Sequence, residues 1–214
     1  MAVKAKLFRS VKPSIPMFPS SVNTVFELAC GEDRSSEKWF EENVSVFAMD
    51  VDLERLRRFR GRYNFACGKG EQLPFADESF DFVFSRLAIP YMDIPVMLKE
   101  VHRVLKLGGT VWFSLHDIRY ALRKIGSDAL RFHFPSVVYQ LYTIANGISL
   151  HTLGKLYRYN GYTGSVQTVS GMAKVLTRSG FTDIKFGGDG EKILAMSAEK
   201  IRFPDSPLLP RLCL

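Results

Sequence analysis

LPFADESFDFVFSRLAIPYMDIPVMLKEVHRVLKLGGTVWFSL, residues 73–115, sets the architecture of the chain. Phe80 to Phe84 (FDFVF) is a short apolar and aromatic run of strand type. Ile94, Met97, Leu98, Val101, Val104 and Leu105 then recur at helical spacing on one continuous face, with Asp93 placed to cap the start and Gly108 to stop the helix. Thr110 to Leu115 (TVWFSL) is the next strand. Strand, helix and strand in this order predict a βαβ unit with parallel strands and a right-handed crossover.

The same alternation extends outward on both sides. Upstream, Thr24 to Leu28 predicts a strand ending in a turn at Cys30 and Gly31. Arg34 to Asn43 predicts a helix, and Val44 to Met49 a second strand stopped by Asp50. Asp52 then caps a helix over Leu53, Leu56 and Phe59 that Gly61 ends, and Tyr63 to Ala66 predicts a third strand. Downstream, the pattern from His116 to about Gln167 is irregular, aromatic and apolar. Thr168 to Ser179 predicts a helix with Val169, Met172 and Leu176 inward and Gly180 at its end. Phe181 to Phe186 and Ile193 to Ala198 predict two closing strands. The expected organisation is a basic arm over 1–22, one α/β domain over 23–200 with an insertion at about 117–167, and a proline-rich tail over 201–214.

Composition bounds the answer without naming it. The chain has 214 residues, 46% of them hydrophobic and 24% charged, which excludes disordered, collagenous and polytopic membrane classes. Its 29 Lys and Arg against 22 Asp and Glu give a formal net charge of +7, which favours solubility and non-specific attraction to anions rather than a particular partner. Cys30, Cys67 and Cys213 lie far apart with no metal-like spacing, so neither a disulfide framework nor a metal site is expected, and a reducing cytoplasm fits. The first segment carries Lys4, Lys6, Arg9 and Lys12 and no acid before Glu27, a basic arm or a partial match to an organellar leader. The uncharged stretch from Phe134 to Leu150 falls short of a membrane span and is expected to be buried or interfacial.

In an open α/β sheet the ligand crevice lies outside the carboxyl ends of the strands, so the residues just past each strand carry the chemistry. They form an ordered series: Glu27-Leu-Ala29-Cys30-Gly31-Glu-Asp33, then Asp50, then Gly68-Lys69-Gly70-Glu71 with Pro74 and Phe75, then Ser85-Arg86-Leu87, then Gly108-Gly109. With LPFADESFD and EVHRVLKLGG at their spacing, this series resembles the class I S-adenosylmethionine-dependent methyltransferases, in the small-molecule branch similar to ubiquinone and menaquinone biosynthesis methyltransferases. The resemblance runs from about Thr24 to Leu115 and resumes weakly at Ser179-Gly180-Phe181. It implies a Rossmann-like, mostly parallel sheet flanked by helices, with a helical lid insertion, and S-adenosyl-L-methionine as cofactor. The residues it implies for the cofactor are Glu27, Ala29, Cys30, Gly31, Asp33, Asp50, Val51, Lys69, Gly70, Glu71, Ser85 and Leu87.

Physical reasons accompany the match. A tight turn at Gly31 lets backbone N–H groups approach a carboxylate. Asp50 at a strand tip can accept from ribose hydroxyls, and Pro74 and Phe75 are expected to wall the adenine. Asp50 and Gly31 can also be read as plain turn residues. Two positions depart from the family pattern: Asp33 stands where a third turn glycine is usual, and Lys69 where an acceptor for the adenine amino group is common. Lys offers no acceptor, which leaves a backbone carbonyl or Glu71 for that contact.

Methyl transfer is an in-line displacement that depends on holding acceptor and methyl in a dry pocket, with a base needed only for a high-pKa nucleophile. His116, just past the fifth strand, is the candidate base; His133 and His151 lie in the insertion and His102 on an exposed helix face. Phe134, Tyr139, Tyr142 and Tyr157 are the candidate substrate lid and imply a large apolar or aromatic acceptor, unless they pack the domain's own flank or a homodimer interface. ELACGEDRSS lacks the dinucleotide glycine pattern. Ser85-Arg86-Leu87 lacks the aromatic motif of nucleic-acid amino methyltransferases, and the Arg55 to Arg62 charge run reads as a solvated face. The expected function is therefore methyl transfer to a small molecule. The alternatives are a catalytically degenerate binding protein and an RNA or protein methyltransferase.

Overall fold

The computed structural model describes residues 6–7, 21–31, 43–57, 63–116, 118–159, 163–188 and 193–201. The strands are β1 (Lys6–Leu7), β2 (Thr24–Leu28), β3 (Ser45–Asp50), β4 (Tyr63–Cys67), β5 (Phe80–Arg86), β6 (Leu105–His116), β7 (Phe181–Gly188) and β8 (Ile193–Lys200). The helices are α1 (Leu53–Arg57), α2 (Ile94–Val104), α3 (Ile118–Leu130), α4 (Phe134–Leu153) and α5 (Val169–Arg178), with a 3-10 turn at Ile89–Tyr91. The expected helix over Arg34 to Asn43, the end of the Asp52 helix at Phe59 and Gly61, Asp33 and the tail from Phe203 lie outside the described residues.

All strands join one sheet in the order β1-β7-β8-β6-β5-β2-β3-β4. The pairs are parallel except β6 with β8 and β7 with β8, so the sheet is mostly parallel, as expected. Its strands carry apolar residues on both faces because helices cover both. Phe26, Leu28 and Val83 face a core with Met97, Leu98 and Val101 of α2, whereas Val25, Phe82, Phe84 and Trp112 face a second cluster on the other side. The two-residue edge strand β1 pairs with β7, within the span read as a basic arm.

Helix starts follow the capping residues. Asp52 accepts from Glu54 N and Arg55 N at 3.0 and 3.2 Å, Asp93 from Val96 N at 3.4 Å, and Thr168 from Gly171 N at 3.2 Å. One expectation is corrected. Gly108 does not stop α2: Leu105 is already extended, and Gly108, at φ +75°, sits in a register break where Phe80 pairs Leu105 but Phe82 pairs Thr110. The tract after His116, irregular as a sequence pattern, forms the two packed helices α3 and α4 of a helical insertion, followed by described residues of 154–168 that form neither helix nor extended strand. Asn146 and Gly147 are both buried within α4.

Candidate functional site

The sheet reverses its strand order on either side of β2, and a crevice of about 660 Å³ opens at the carboxyl ends of the strands there. Three short segments build its floor. After β2 the chain turns through Ala29 (φ +54°) and Gly31 (φ +60°). Cys30 N donates to Met49 O at 3.1 Å. Gly31 N donates to Asp50 Oδ2 and Asp52 N to Asp50 Oδ1, each at 3.0 Å. Gly68 N, past β4, donates to Asp50 O at 3.0 Å. The Asp50 carboxylate is therefore buried at the strand tip and laces the β2 turn to β3 while lining the crevice. Among the described residues a Cβ added at Gly31 would meet nothing within 4 Å, so the turn leaves open space there for a ligand to approach.

The Lys69–Gln72 turn closes another side. Gln72 N donates to Lys69 O at 3.0 Å, and Glu71 Oε1 accepts from Asp93 N at 2.8 Å, fixing the turn to the start of α2. On the opposite wall Arg86 Nη2 lies 3.1 Å from Oε1 of the buried Glu27. The 3-10 turn that follows β5 receives the end of the insertion: Thr163 Oγ1 donates to Tyr91 O at 3.2 Å and Ser165 N to Pro90 O at 3.1 Å. This docking completes the wall with Arg158, Thr163 and Tyr91.

Of the residues expected at the cofactor, Ala29, Gly31, Asp50, Val51, Lys69, Gly70, Glu71 and Leu87 line the crevice together. Glu27, Cys30 and Ser85 do not; all three are buried behind it. Glu27 acts through its ion pair with Arg86. Burial first, and then the charges of Glu27 and Asp50, push the Cys30 thiol up to about 12, so it is a neutral core group. The aromatic wall is corrected as well: Phe75 packs inward against Phe26, Phe47 and Phe80 with ring centroids 4.9, 6.1 and 5.0 Å away, and neither Pro74 nor Phe75 reaches the crevice. Leu28, Met49, Leu87, Ala88 and Met92 supply the apolar lining instead.

The lid residues are also placed differently. None of Phe134, Tyr139, Tyr142 and Tyr157 lines the crevice. Tyr142 tilts against Tyr159 with centroids 5.4 Å apart and donates to Tyr157 O at 2.6 Å. The insertion is held by Asn146, whose Nδ2 donates to Tyr157 O and Gly164 O at 3.1 and 2.8 Å and whose Oδ1 accepts from Tyr157 N at 2.8 Å. Its contribution to the site is thus Arg158 and Thr163, which the sequence reading passed over and whose only signal was adjacency to the aromatic run. Arg55, read from the sequence as part of a solvated charge run, lines the crevice too.

His116 ends β6, its backbone paired with Ile193, and of this residue only the backbone is described. His102 is not on an exposed face: its ring is half-buried and stands edge-on to Phe181 at 5.4 Å. His151 lies half-buried with Nε2 2.9 Å from Gln167 Oε1, and His133 occupies the N-cap position of α4 without a side-chain cap bond. Neither lines the crevice.

Known proteins resemble the chain in sequence and in fold. Residues 26–113 match the family model described as a methyltransferase domain. A malonyl-[acyl-carrier protein] O-methyltransferase of Erwinia pyrifoliae is 33% identical over 129 residues, which is 56% of this chain and 49% of the relative. The chain thus spans about half the length of the curated relatives it matches. Among solved structures, an S-adenosylmethionine-dependent methyltransferase of Thermotoga maritima superposes with a TM-score of 0.60 at 18% identity, covering 88% of this chain and 84% of that one. One from Methanosarcina mazei gives 0.56 at 19% identity, covering 84% and 92%.

Proposed function

We propose that this chain, which carries a methyltransferase domain of the class I S-adenosylmethionine-dependent type over residues 26–113, transfers a methyl group to a small acidic acceptor. The observation that carries the reading is the crevice itself. It opens at the switch point of the sheet, with a carboxylate at the tip of β3 and an open glycine turn at the tip of β2.

The cofactor of this domain type is S-adenosyl-L-methionine, and the residues present fit it. Asp50 retains acceptor capacity for ribose hydroxyls, since each carboxylate oxygen accepts one backbone N–H in this structure. The Gly31 turn leaves room for the amino-acid end, and Leu28, Met49 and Met92 form an apolar slot. When bound, the cofactor supplies a sulfonium-activated methyl group. The chain's own part is to hold the acceptor in line with that methyl and to exclude water.

Acceptor chemistry follows from the remaining wall. An apolar or aromatic acceptor was expected from Phe134, Tyr139, Tyr142 and Tyr157, none of which lines the crevice, whereas Arg158 does, as does Arg86, paired with the buried Glu27. Guanidinium groups favour an acceptor bearing a carboxylate, which matches the O-methyl transfer named for the curated relatives. A carboxylate nucleophile needs no base, so on this reading His116 is dispensable for the chemistry.

Calorimetric titration with S-adenosylhomocysteine tests the cofactor site, and no heat of binding overturns the proposal. Labelled-methyl transfer to fractionated small acids then tests the acceptor. Product forming as a base-stable amine or ether, with His116→Ala inactive, would replace the carboxylate by a hydroxyl or amine acceptor.

A further inference from the structure

A line of polar side chains joins the end of α4 to the wall of the crevice. His151 Nε2 lies 2.9 Å from Gln167 Oε1. Gln167 Nε2 donates to Ser165 Oγ at 2.7 Å, and Ser165 Oγ donates in turn to Pro90 O at 3.5 Å. Pro90 belongs to the 3-10 turn after β5, on which the crevice residue Thr163 is also docked. None of His151, Gln167 and Ser165 lines the crevice. Gln167 is 1% exposed and Ser165 3%, so bulk water does not replace a partner lost from either.

The bonds run in one direction. The Ser165 hydroxyl has one proton; given to Pro90 O, it leaves the oxygen to accept from the Gln167 amide nitrogen, which turns the amide oxygen toward His151. That oxygen can only accept, so the ring donates from Nε2. Nδ1 is left as an acceptor facing Thr168 Oγ1 at 3.4 Å, and Thr168 caps α5 by accepting from Gly171 N at 3.2 Å. A neutral ring fits these surroundings: burial first, and Lys174 of α5 as well, hold the His151 pKa below its ordinary value against the opposing bond to Gln167. The ring packs directly on Gly171, where a Cβ would overlap its Nδ1, Cγ and Cε1.

An amide is nearly symmetric in shape, so the ring's N–H is what tells its oxygen from its nitrogen. With the amide reversed, its oxygen would take the Ser165 proton and release Pro90 O. Residue 165 would then be tied to the turn by its backbone N alone, at 3.1 Å from Pro90 O. Val166 N, on Thr143 O at 3.1 Å, and Thr163 Oγ1, on Tyr91 O at 3.2 Å, are the neighbouring ties that the loosened residue would strain. Thr163 and Tyr91 both line the crevice, so the orientation of a side chain that never meets a ligand reaches the wall through Ser165.

We propose that Gln167, its amide oriented by His151, is a positioning residue for the acceptor wall of the crevice. The role rests on the reading of Thr163 and its surroundings as that wall. Nitrogen NMR of the full chain with labelled histidine should show the His151 ring as the Nε2–H tautomer, its signals assigned by their loss in His151→Gln. Amide exchange over 163–167 should be about fivefold faster in Gln167→Glu, whose carboxylate has no donor for Ser165, and in Ser165→Ala, which keeps the test open where the buried acid unfolds the chain. His151→Leu should match them, whereas His151→Gln, which retains an N–H donor, should return wild-type exchange. Affinity for S-adenosylhomocysteine should stay within about twofold throughout. With S-adenosylmethionine saturating, methyl transfer to the small-acid fraction of a cell extract should fall about fivefold in Ser165→Ala when the fraction is dilute, and recover when it is concentrated. An Nδ1–H ring, unchanged exchange in Ser165→Ala, or His151→Gln exchanging as fast as His151→Leu overturns the positioning role, as does a transfer rate lowered equally at every acid concentration. No transfer by the wild type overturns the acceptor reading instead, because tautomer and exchange are read without an acceptor.

Discussion

Replacing Asp50 by Ala separates the lacing of the crevice floor from ligand recognition. The carboxylate accepts Gly31 N and Asp52 N, each at 3.0 Å. Hydrogen bonds to a charged group contribute about 1.5–3 kcal/mol each. Water entering from the crevice re-solvates part of what is lost, so a cost of about 2–4 kcal/mol in stability is expected, a substantial part of a domain's usual 5–15 kcal/mol. If two ribose hydroxyls also donate to Asp50, the variant forfeits about 3 kcal/mol or more of binding, roughly a hundredfold in Kd. Asp50→Asn keeps the shape and one acceptor but turns an N–H donor toward a backbone N–H, and should fall between wild type and Asp50→Ala in both quantities. The assay is titration calorimetry with S-adenosylhomocysteine on protein shown by circular dichroism to be folded, paired with urea unfolding in its absence. A Kd for Asp50→Ala within about threefold of wild type, on folded protein, would refute a ribose contact and leave Asp50 a purely structural residue.

Three further outcomes are expected. Ala29 holds φ +54° where a Cβ is disfavoured, so Ala29→Gly should raise stability by up to about 1 kcal/mol and the melting midpoint by roughly 2–4 °C; calorimetry showing a lower midpoint would refute the strain. Asn146→Ala removes three hydrogen bonds that tie α4 to Tyr157 and Gly164, and should raise KM for the acceptor while leaving S-adenosylhomocysteine affinity unchanged. Faster amide exchange over 155–165 should accompany it, and protected amides there would count against the latch. The Glu100 carboxyl is held below its ordinary 4.5, first by Arg103 and then, against partial burial, by Leu73 N. Its unfolded form binds more protons than the folded one in that range, so its stabilisation is present above about pH 4.5 and lost as pH falls; Glu100→Gln should flatten the acid limb of a urea-midpoint titration.

The cofactor half was legible because its signals are local. A capping Asp93, an apolar face on α2 and strand runs ending in Gly31 or Asp50 each depend on a few neighbouring residues, and the structure reproduces Thr24–Leu28 without shift. The second half was not, because its determinants are tertiary. Gly147 carries no signal of its role in the sequence, yet it is the residue that lets α4 approach the Val166 carbonyl, which a Cβ there would overlap. Phe75 reads as a site wall because of its motif, yet its environment is set by Phe80 together with Phe26 and Phe47, the last two far from it in sequence. Arg158 carries no motif at all. It becomes a wall residue only because Thr163 and Ser165 dock on the turn after β5.

That division has a consequence for acceptor choice. The family match ends at residue 113, before the insertion begins, whereas the fold likeness to solved methyltransferases extends over 88% of the chain. The floor of the crevice is thus built by the shared segment through bonds centred on Asp50, and its acceptor wall by a segment attached at Pro90, Tyr91 and Asn146. These two sets of bonds share no residue. Substitutions in the insertion can therefore reshape the wall at Arg158 and Thr163 while the cofactor contacts keep their geometry, provided the Asn146 latch and the Thr163 and Ser165 bonds persist. On the proposed reading acceptor specificity resides in that latched segment, and swapping residues 155–166 for those of another methyltransferase should change the acceptor before it changes the affinity for S-adenosylhomocysteine.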